Sequence, residues 1–191
     1  MAKCAIFLAN GFEETEAVGT VDVLRRAEAH LKGSFPEVDY VSMNTELEVT
    51  GRGGTKITAD KLFGDLDLTS YDALILPGGL DGVENLMKSE KLMDGVKTHA
   101  DAGKTVAAIC AAPQILGMLG LVKNKEVTFY PGCDKYLDDA MKRPSAAAIE
   151  DGNIITGSSI GGALQFALQI VDHFTTTENM LELHQKLVFN Y

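Results

Sequence analysis

The amino-acid sequence predicts an α/β fold with a mostly parallel central sheet and helices on both faces. Three observations carry this. Short, dense apolar runs of strand length alternate with longer segments whose apolar residues recur at helical spacing. The apolar runs close on turn residues, as at Asn10-Gly11, Pro77-Gly78-Gly79 and Tyr130-Pro131-Gly132. Of the 191 residues, 46% are apolar, an ordinary globular share, and no linker, repeat or low-complexity tract divides the chain. The expectation is one domain over 1–191.

The elements follow in order. Cys4 to Leu8 reads as a buried strand, and a helix runs from about Glu13 to Leu31 with Ala17, Val21, Leu24 and Leu31 on one face. Val38 to Met43 is the second strand. The stretch Thr50-Gly51-Arg52-Gly53-Gly54 lies between short β-like pieces around Val49 and Ile57 and reads as a hairpin. Ala73 to Leu76 is a buried strand, followed by a helix from about Ser89 to Ala102 with Leu92, Val96 and His99 or Ala100 inward. Thr105 to Ile109 is a strand, and Cys110 leads into a short helix through Leu119. Val127 to Phe129 is a further strand. Ala146–Ile149 and Ile154–Thr156 form a strand pair across the turn Asp151-Gly152-Asn153. Helices close the chain from about Gly162 to Phe174 and from Thr177 to Leu187. Thr175 with Glu178 fits a capping box before the last one.

Composition excludes some functions. Against 17 basic residues stand 27 acids, a net charge of −10, which argues against a nucleic-acid or anionic-membrane partner. The apolar stretch Cys4–Ala9 is too short for a secretory signal, and no run reaches membrane-spanning length. A soluble, cytoplasmic protein is expected. Cys4, Cys110 and Cys133 are too few and too sparse for a disulfide framework, and no C-x-x-C or histidine cluster suggests a metal site.

The chemistry points to Cys110. In Val106-Ala107-Ala108-Ile109-Cys110-Ala111-Ala112-Pro113 a buried strand turns into a helix within about three residues. Small side chains permit the tight turn, and Pro113 suits the first helical turn. Such an elbow aims its side chain outward at the carboxyl end of the sheet. The helix amide end favours a thiolate there. Pro77-Gly78-Gly79 ends the neighbouring strand, so the N–H groups of Gly79 and Ala111 suit an oxyanion hole. The plainer reading of Cys110 is a small buried hydrophobe. Glu13, Glu14 and Glu16 crowd the start of the first helix, where acids suit the helix dipole. One of them can instead face the crevice and exchange a proton with Cys110. Periodicity does not choose among the three.

Taken together, Gly11-Phe12-Glu13-Glu14-Thr15-Glu16, then Leu76-Pro77-Gly78-Gly79, then Ala107-Ala108-Ile109-Cys110-Ala111-Ala112-Pro113 resemble the ThiJ/PfpI superfamily, in particular its parkinsonism-associated deglycase branch. The likeness extends to Val21–Ala27 and Phe166–Val171. The resemblance implies a flavodoxin-like three-layer sandwich and a homodimer. It implies a reactive, easily oxidised Cys110, with Glu16 as its carboxyl partner. It implies no cofactor. Activity is expected on small 2-oxoaldehydes or glycated adducts, of glyoxalase or deglycase type. A redox-responsive stress protein or chaperone with a Cys110 sulfinic acid is the alternative, and a peptidase or non-catalytic binding module the second. The sequence departs from some relatives in two places. Tyr130 stands where they place a histidine before proline, which weakens a Cys-His pairing because a phenol is a poor base near neutrality. Gly157-Ser158-Ser159-Ile160-Gly161-Gly162 replaces a Gly-Pro-Gly turn.

Other residues read more plainly. Cys4 is core. Cys133, in a loop that the resemblance places near the site, reads as a loop cysteine, with resolution of an oxidised Cys110 as the sharper alternative. His30 and His184 read as helix-surface residues, and His99 and His173 lie on helices away from the elbow. Arg52 reads either as an exposed arginine or as a contact to a dimer partner.

Overall fold

The structure is a computed structural model in which residues 1–187 are described. The expected domain span of 1–191 thus ends in four residues outside the described ones. The chain opens with β1 (Lys3–Leu8), α1 (Glu14–His30), β2 (Glu37–Ser42), the hairpin β3 (Glu48–Thr50) and β4 (Lys56–Thr58), and β5 (Lys61–Leu62). It continues through β6 (Ala73–Leu76), α2 (Leu80–Met87), α3 (Glu90–Asp101), β7 (Thr105–Ile109) and α4 (Pro113–Met118). Two short strands follow, β8 (Glu126–Val127) and β9 (Met141–Lys142), then β10 (Ala148–Asp151), β11 (Ile154–Gly157), α5 (Ala163–Phe174) and α6 (Thr177–Lys186).

The main sheet has the order β10-β11-β7-β6-β1-β2-β5, with every neighbour parallel except β10 against β11. Both faces of the parallel strands are covered, as their unbroken apolar sequences require. Alternate residues go to opposite layers. Cys4, Ile6 and Leu8 join a core with Ala17, Val21 and Leu24 of α1 and Phe166 and Ile170 of α5. Ala5 and Phe7 join the other core, with Val83 and Leu86 of α2, Val96 of α3 and Ile115 of α4. β6 and β7 alternate in the same way: Ile75, Ala107 and Ile109 face one layer, and Leu74, Leu76 and Val106 face the other. This is the flavodoxin-like sandwich that the sequence implies.

From β1 the chain crosses through α1 to β2 on one side, and later enters β6 on the other. Connections therefore diverge at the carboxyl ends of β1 and β6, the crevice where open α/β sheets place ligands. Residues 9–13 and 77–79 meet there, and β7 delivers Cys110 from the next strand.

Several local expectations shift. The segment after Gly79 holds an extra helix, α2, whose Val83 and Leu86 are buried; its eight residues and internal Gly82 hide it from a periodicity count. Val127–Phe129 is strand only at Glu126–Val127, paired with β9, and Thr128 N–H turns to the Thr156 hydroxyl at 3.0 Å. The cap of α6 is Thr176, which accepts the Asn179 N–H at 3.2 Å, while the Thr175 hydroxyl bonds back to Val171 O at 2.7 Å. Ala27 takes the inner place expected for Leu31, which ends α1 half-buried.

Candidate active site

Cys110 occupies the left-handed region with φ 65, a conformation that costs a non-glycine residue about 1–3 kcal/mol. Its backbone is held on both sides. Cys110 N–H donates to Gly157 O, and Cys110 O accepts from Tyr130 N–H, each at 2.9 Å. The left-handed turn swings the side chain out of the strand. Ala111 and Ala112 are buried beneath the elbow, and Pro113 starts α4, as the sequence suggests.

The three acids left tied by periodicity have three different partners. Glu13 pairs with Arg52 at 3.1 Å. Glu14 accepts the N–H groups of Gly53 at 2.7 Å and Thr55 at 3.4 Å, fastening the β3–β4 hairpin to the start of α1. Glu16 is fully buried and turned to the crevice, with Oε2 accepting Gly78 N–H at 2.9 Å. Its Oε1 is buried without a hydrogen-bond partner. The Cys110 thiol lies beside this carboxyl, and each shifts the protonation of the other.

Gly78 is the hinge of that approach. A methyl group there would sit 2.5 Å from Glu16 Oε2, 2.6 Å from Cys110 Cβ and 3.1 Å from Sγ. Gly79 follows with φ 88, and a side chain on it would meet Gly11 O at 2.3 Å. These two glycines let the end of β6 press against both reacting groups. The N–H groups of Gly79 and Ala111 lie at the Cys110 sulfur and favour its anionic form.

Burial raises the Glu16 carboxyl from 4.5 to about 7; its hydrogen bonds to Cys110 and Gly78 oppose the rise. Burial also raises the Cys110 thiol, the Glu16 charge adds to the rise, and the Ala111 and Gly79 N–H groups oppose it. This corrects the expectation of a resting thiolate favoured by a helix end. α4 begins three residues beyond the sulfur, and desolvation with the carboxylate outweighs two amides. Above about pH 7 the pair holds one proton and one negative charge. When the proton sits on Glu16, the like-charge repulsion disappears and the two amides hold the anionic sulfur.

The sulfur opens to a cavity of about 310 Å³ lined by Cys110, Gly79, Ala111, Tyr130, Cys133, Glu13 and Arg52, with Leu80, Asp81 and Ile160 completing it. The structure thus gathers all the expected site residues: four line the cavity, and Glu16 lies buried beside the sulfur. Three lining residues carried other expectations. Arg52 is at the cavity mouth through Glu13, and Cys133 is a buried cavity residue rather than a plain loop cysteine. Glu13 shares its charge with its neighbours in sequence, and its place as the N-cap residue of α1, outside the helix itself, sets it apart. Tyr130 lines the wall half-exposed, and no histidine lines the cavity. Among the described residues there is no cluster of His, Cys, Asp and Glu able to hold a metal. Nor is any described helix long and apolar enough to cross a membrane.

Comparison with known proteins agrees with this arrangement. Protein DJ-1 homolog B of Arabidopsis thaliana is 38% identical over 178 residues; the match covers 92% of this chain but 39% of the plant protein, so the chain spans well under half of that relative. A deglycase of Pyrococcus horikoshii is 30% identical over 155 residues, 81% of this chain and 88% of its own. An oxidised DJ-1 of Toxoplasma gondii has the same fold, with a TM-score of 0.88 at 29% identity and 100% of both chains covered. The DJ-1/PfpI family match itself runs over residues 2–173, taking in the acidic turn, the glycine pair and the cysteine elbow, and the chain belongs to that family.

Proposed function

We propose that the protein is a cofactor-independent, cysteine-dependent enzyme acting on reactive 2-oxoaldehydes or their adducts, of glyoxalase or deglycase type. The observation that carries this is the buried Glu16 carboxyl, raised to about 7, beside a thiol that opens to a cavity and receives two backbone N–H groups. A base near the working pH is well matched to proton transfer. As the sulfur adds to the aldehyde carbon, Glu16 takes the thiol proton. The developing alkoxide takes over the Gly79 and Ala111 N–H groups. Glu16 returns the thiol proton to that alkoxide and is a free base again. For methylglyoxal it then carries the proton on the aldehyde carbon to the ketone carbon, while the hydroxyl proton passes to the ketone oxygen. The resulting thioester is opened by water to give lactate and the free thiol. Methylglyoxal and one water account for all atoms of the product.

The peptidase alternative lacks a Cys-His pairing here, since Tyr130 holds the expected histidine's place and no histidine lines the cavity among the described residues. The redox alternative uses the same sulfur. We place the enzyme in the cytoplasm as a homodimer; light scattering at twice the 20.5 kDa chain mass tests the latter.

The main test is lactate formation from methylglyoxal, and release of intact guanidine from its arginine adduct. Cys110→Ser and Glu16→Gln are each expected to lose about 10²–10⁴-fold in turnover. Wild-type rates in either variant would refute the mechanism.

A further inference from the structure

Cys110 and Cys133 line one cavity, yet the aldehyde chemistry uses only the first. The chain between them is folded back by two backbone bonds. Tyr130 N–H donates to Cys110 O at 2.9 Å, and Cys133 N–H donates to Tyr130 O at 2.9 Å. The second bond closes the turn Tyr130-Pro131-Gly132-Cys133. Proline at its second position and Gly132 at φ 88 in its third are the pattern of a type II turn. Pro131 and Gly132 are exposed, but Cys133 is only 6% exposed and packs in the cluster that holds Ala111, Ala112 and Phe129. A surface turn therefore delivers its last side chain inward, beside the elbow. Among the described cysteines, Cys4 has no such place; it is fully buried in the first strand and does not line the cavity.

We propose that Cys133 is the resolving thiol for an oxidised Cys110, so that a hydroperoxide converts the pair into an intramolecular disulfide. The first step rests on the Cys110–Glu16 pair invoked above. The Cys110 sulfur attacks the terminal peroxide oxygen, Glu16 takes its proton, and the O–O bond breaks. The departing alkoxide receives that proton and leaves as an alcohol, with Cys110 as a sulfenic acid. The Cys133 sulfur then attacks the Cys110 sulfur, its proton joins the departing hydroxyl, and water leaves as the S–S bond forms. One hydroperoxide is reduced and two thiols are oxidised. Resolution within one chain is unimolecular, whereas further oxidation of the sulfenic acid needs a second hydroperoxide molecule. At low dose the disulfide wins.

The test treats the whole protein with one equivalent of tert-butyl hydroperoxide, then digests it with trypsin without reductant. The expected product is the peptide 105–123 joined to the peptide 126–135, two hydrogens lighter than their sum and separated by dithiothreitol. In Cys133→Ser, Cys110 is expected to gain two oxygens instead, with no recovery on reduction. Wild type gaining two oxygens at Cys110 as readily as Cys133→Ser, or joining Cys110 to another chain, would overturn the proposal. The wild-type cross-link decides the matter alone if the variant fails to fold. Wild type that makes lactate before treatment but never cross-links after it sinks this proposal and spares the aldehyde reading. The reverse pattern does the opposite.

Discussion

Replacing Glu16 by glutamine tests the buried carboxyl through stability, independently of any substrate. Glu16 is fully buried, and its carboxyl is raised from 4.5 to about 7. In the unfolded chain the group ionises from pH 4.5 upward; in the folded chain burial withholds that ionisation until about 7. Each pH unit of delay corresponds to about 1.4 kcal/mol, so the whole interval amounts to about 3 kcal/mol. The sign is set by which state binds more protons. Between the two values the folded state does, so stability falls as pH rises. The contribution present below 4.5 is lost as the pH passes through about 7. Glutamine has the same shape and no proton to release, so the variant lacks this fall. Urea unfolding of both proteins at intervals from pH 4 to 8 gives the difference directly, and other titrating groups cancel in it. Wild type should lose about 3 kcal/mol relative to Glu16→Gln across that range, a large share of a typical stability of about 5–15 kcal/mol. A flat difference would mean that the carboxyl ionises normally and cannot be the proton carrier argued for here.

The same titration governs activity: turnover should rise with pH through about 7 in wild type, because the base must be free to take the thiol proton, and that rise should vanish in Glu16→Gln. Gly78→Ala places a methyl 2.5 Å from Glu16 Oε2 and 2.6 Å from Cys110 Cβ; separating them should cost about 10²-fold in kcat/KM, read in a lactate assay on protein with unchanged circular dichroism. Tyr71→Phe removes a buried hydroxyl that donates to Asp39 at 2.6 Å and accepts from Lys61 at 3.1 Å; a loss of about 1–3 kcal/mol in urea unfolding is expected. Thr176→Ala should cost about 1 kcal/mol, while Thr175→Ala should cost less, because only Thr176 caps α6.

The fold was legible because its signals are local. Ala73–Leu76 and Thr105–Ile109 are apolar on both faces and bounded by turns, which is what a strand covered by helices on both sides needs. The site was legible only in part, because it is assembled from the ends of β1, β6 and β7. Cys110 announces itself through the small residues that permit its turn. Glu16 does not. Successive helix residues rotate by about 100°, so Glu13, Glu14 and Glu16 leave α1 in different directions. Which direction meets the crevice depends on where α1 docks. The resemblance to relatives selected Glu16, and the docking accounts for the choice. Arg52 and Cys133 were hidden for a related reason. Each sits in a loop placed by bonds to distant residues: Arg52 N–H to Phe12 O and Gly53 N–H to Glu14 for the hairpin, and Tyr130 N–H to Cys110 O for Cys133. The expected thiolate failed on a magnitude, since an amide end was weighed without the desolvation and the neighbouring carboxylate that oppose it.

The departures from ordinary folding rules gather in one place. Two described residues other than glycine have positive φ, Cys110 and Asn124. Asn124 is exposed in a turn, and asparagine tolerates that conformation through its short polar side chain. Cys110 has no such excuse, and the backbone bonds to Gly157 and Tyr130 hold it against its preference. Among the described residues, two buried side-chain oxygens lack a partner: Glu16 Oε1 and Thr20 Oγ1. They lie one turn apart on α1, so they occupy the same face of one helix. A leucine at Glu16 and a valine at Thr20 would remove both orphans and suit the surrounding core. Strain at the sulfur and unmet polarity beside it both lower stability, and neither helps the sheet to form. The strained Cys110 and the orphaned Glu16 Oε1 meet at the carboxyl ends of β1, β6 and β7, which is expected if this corner serves proton transfer to and from sulfur.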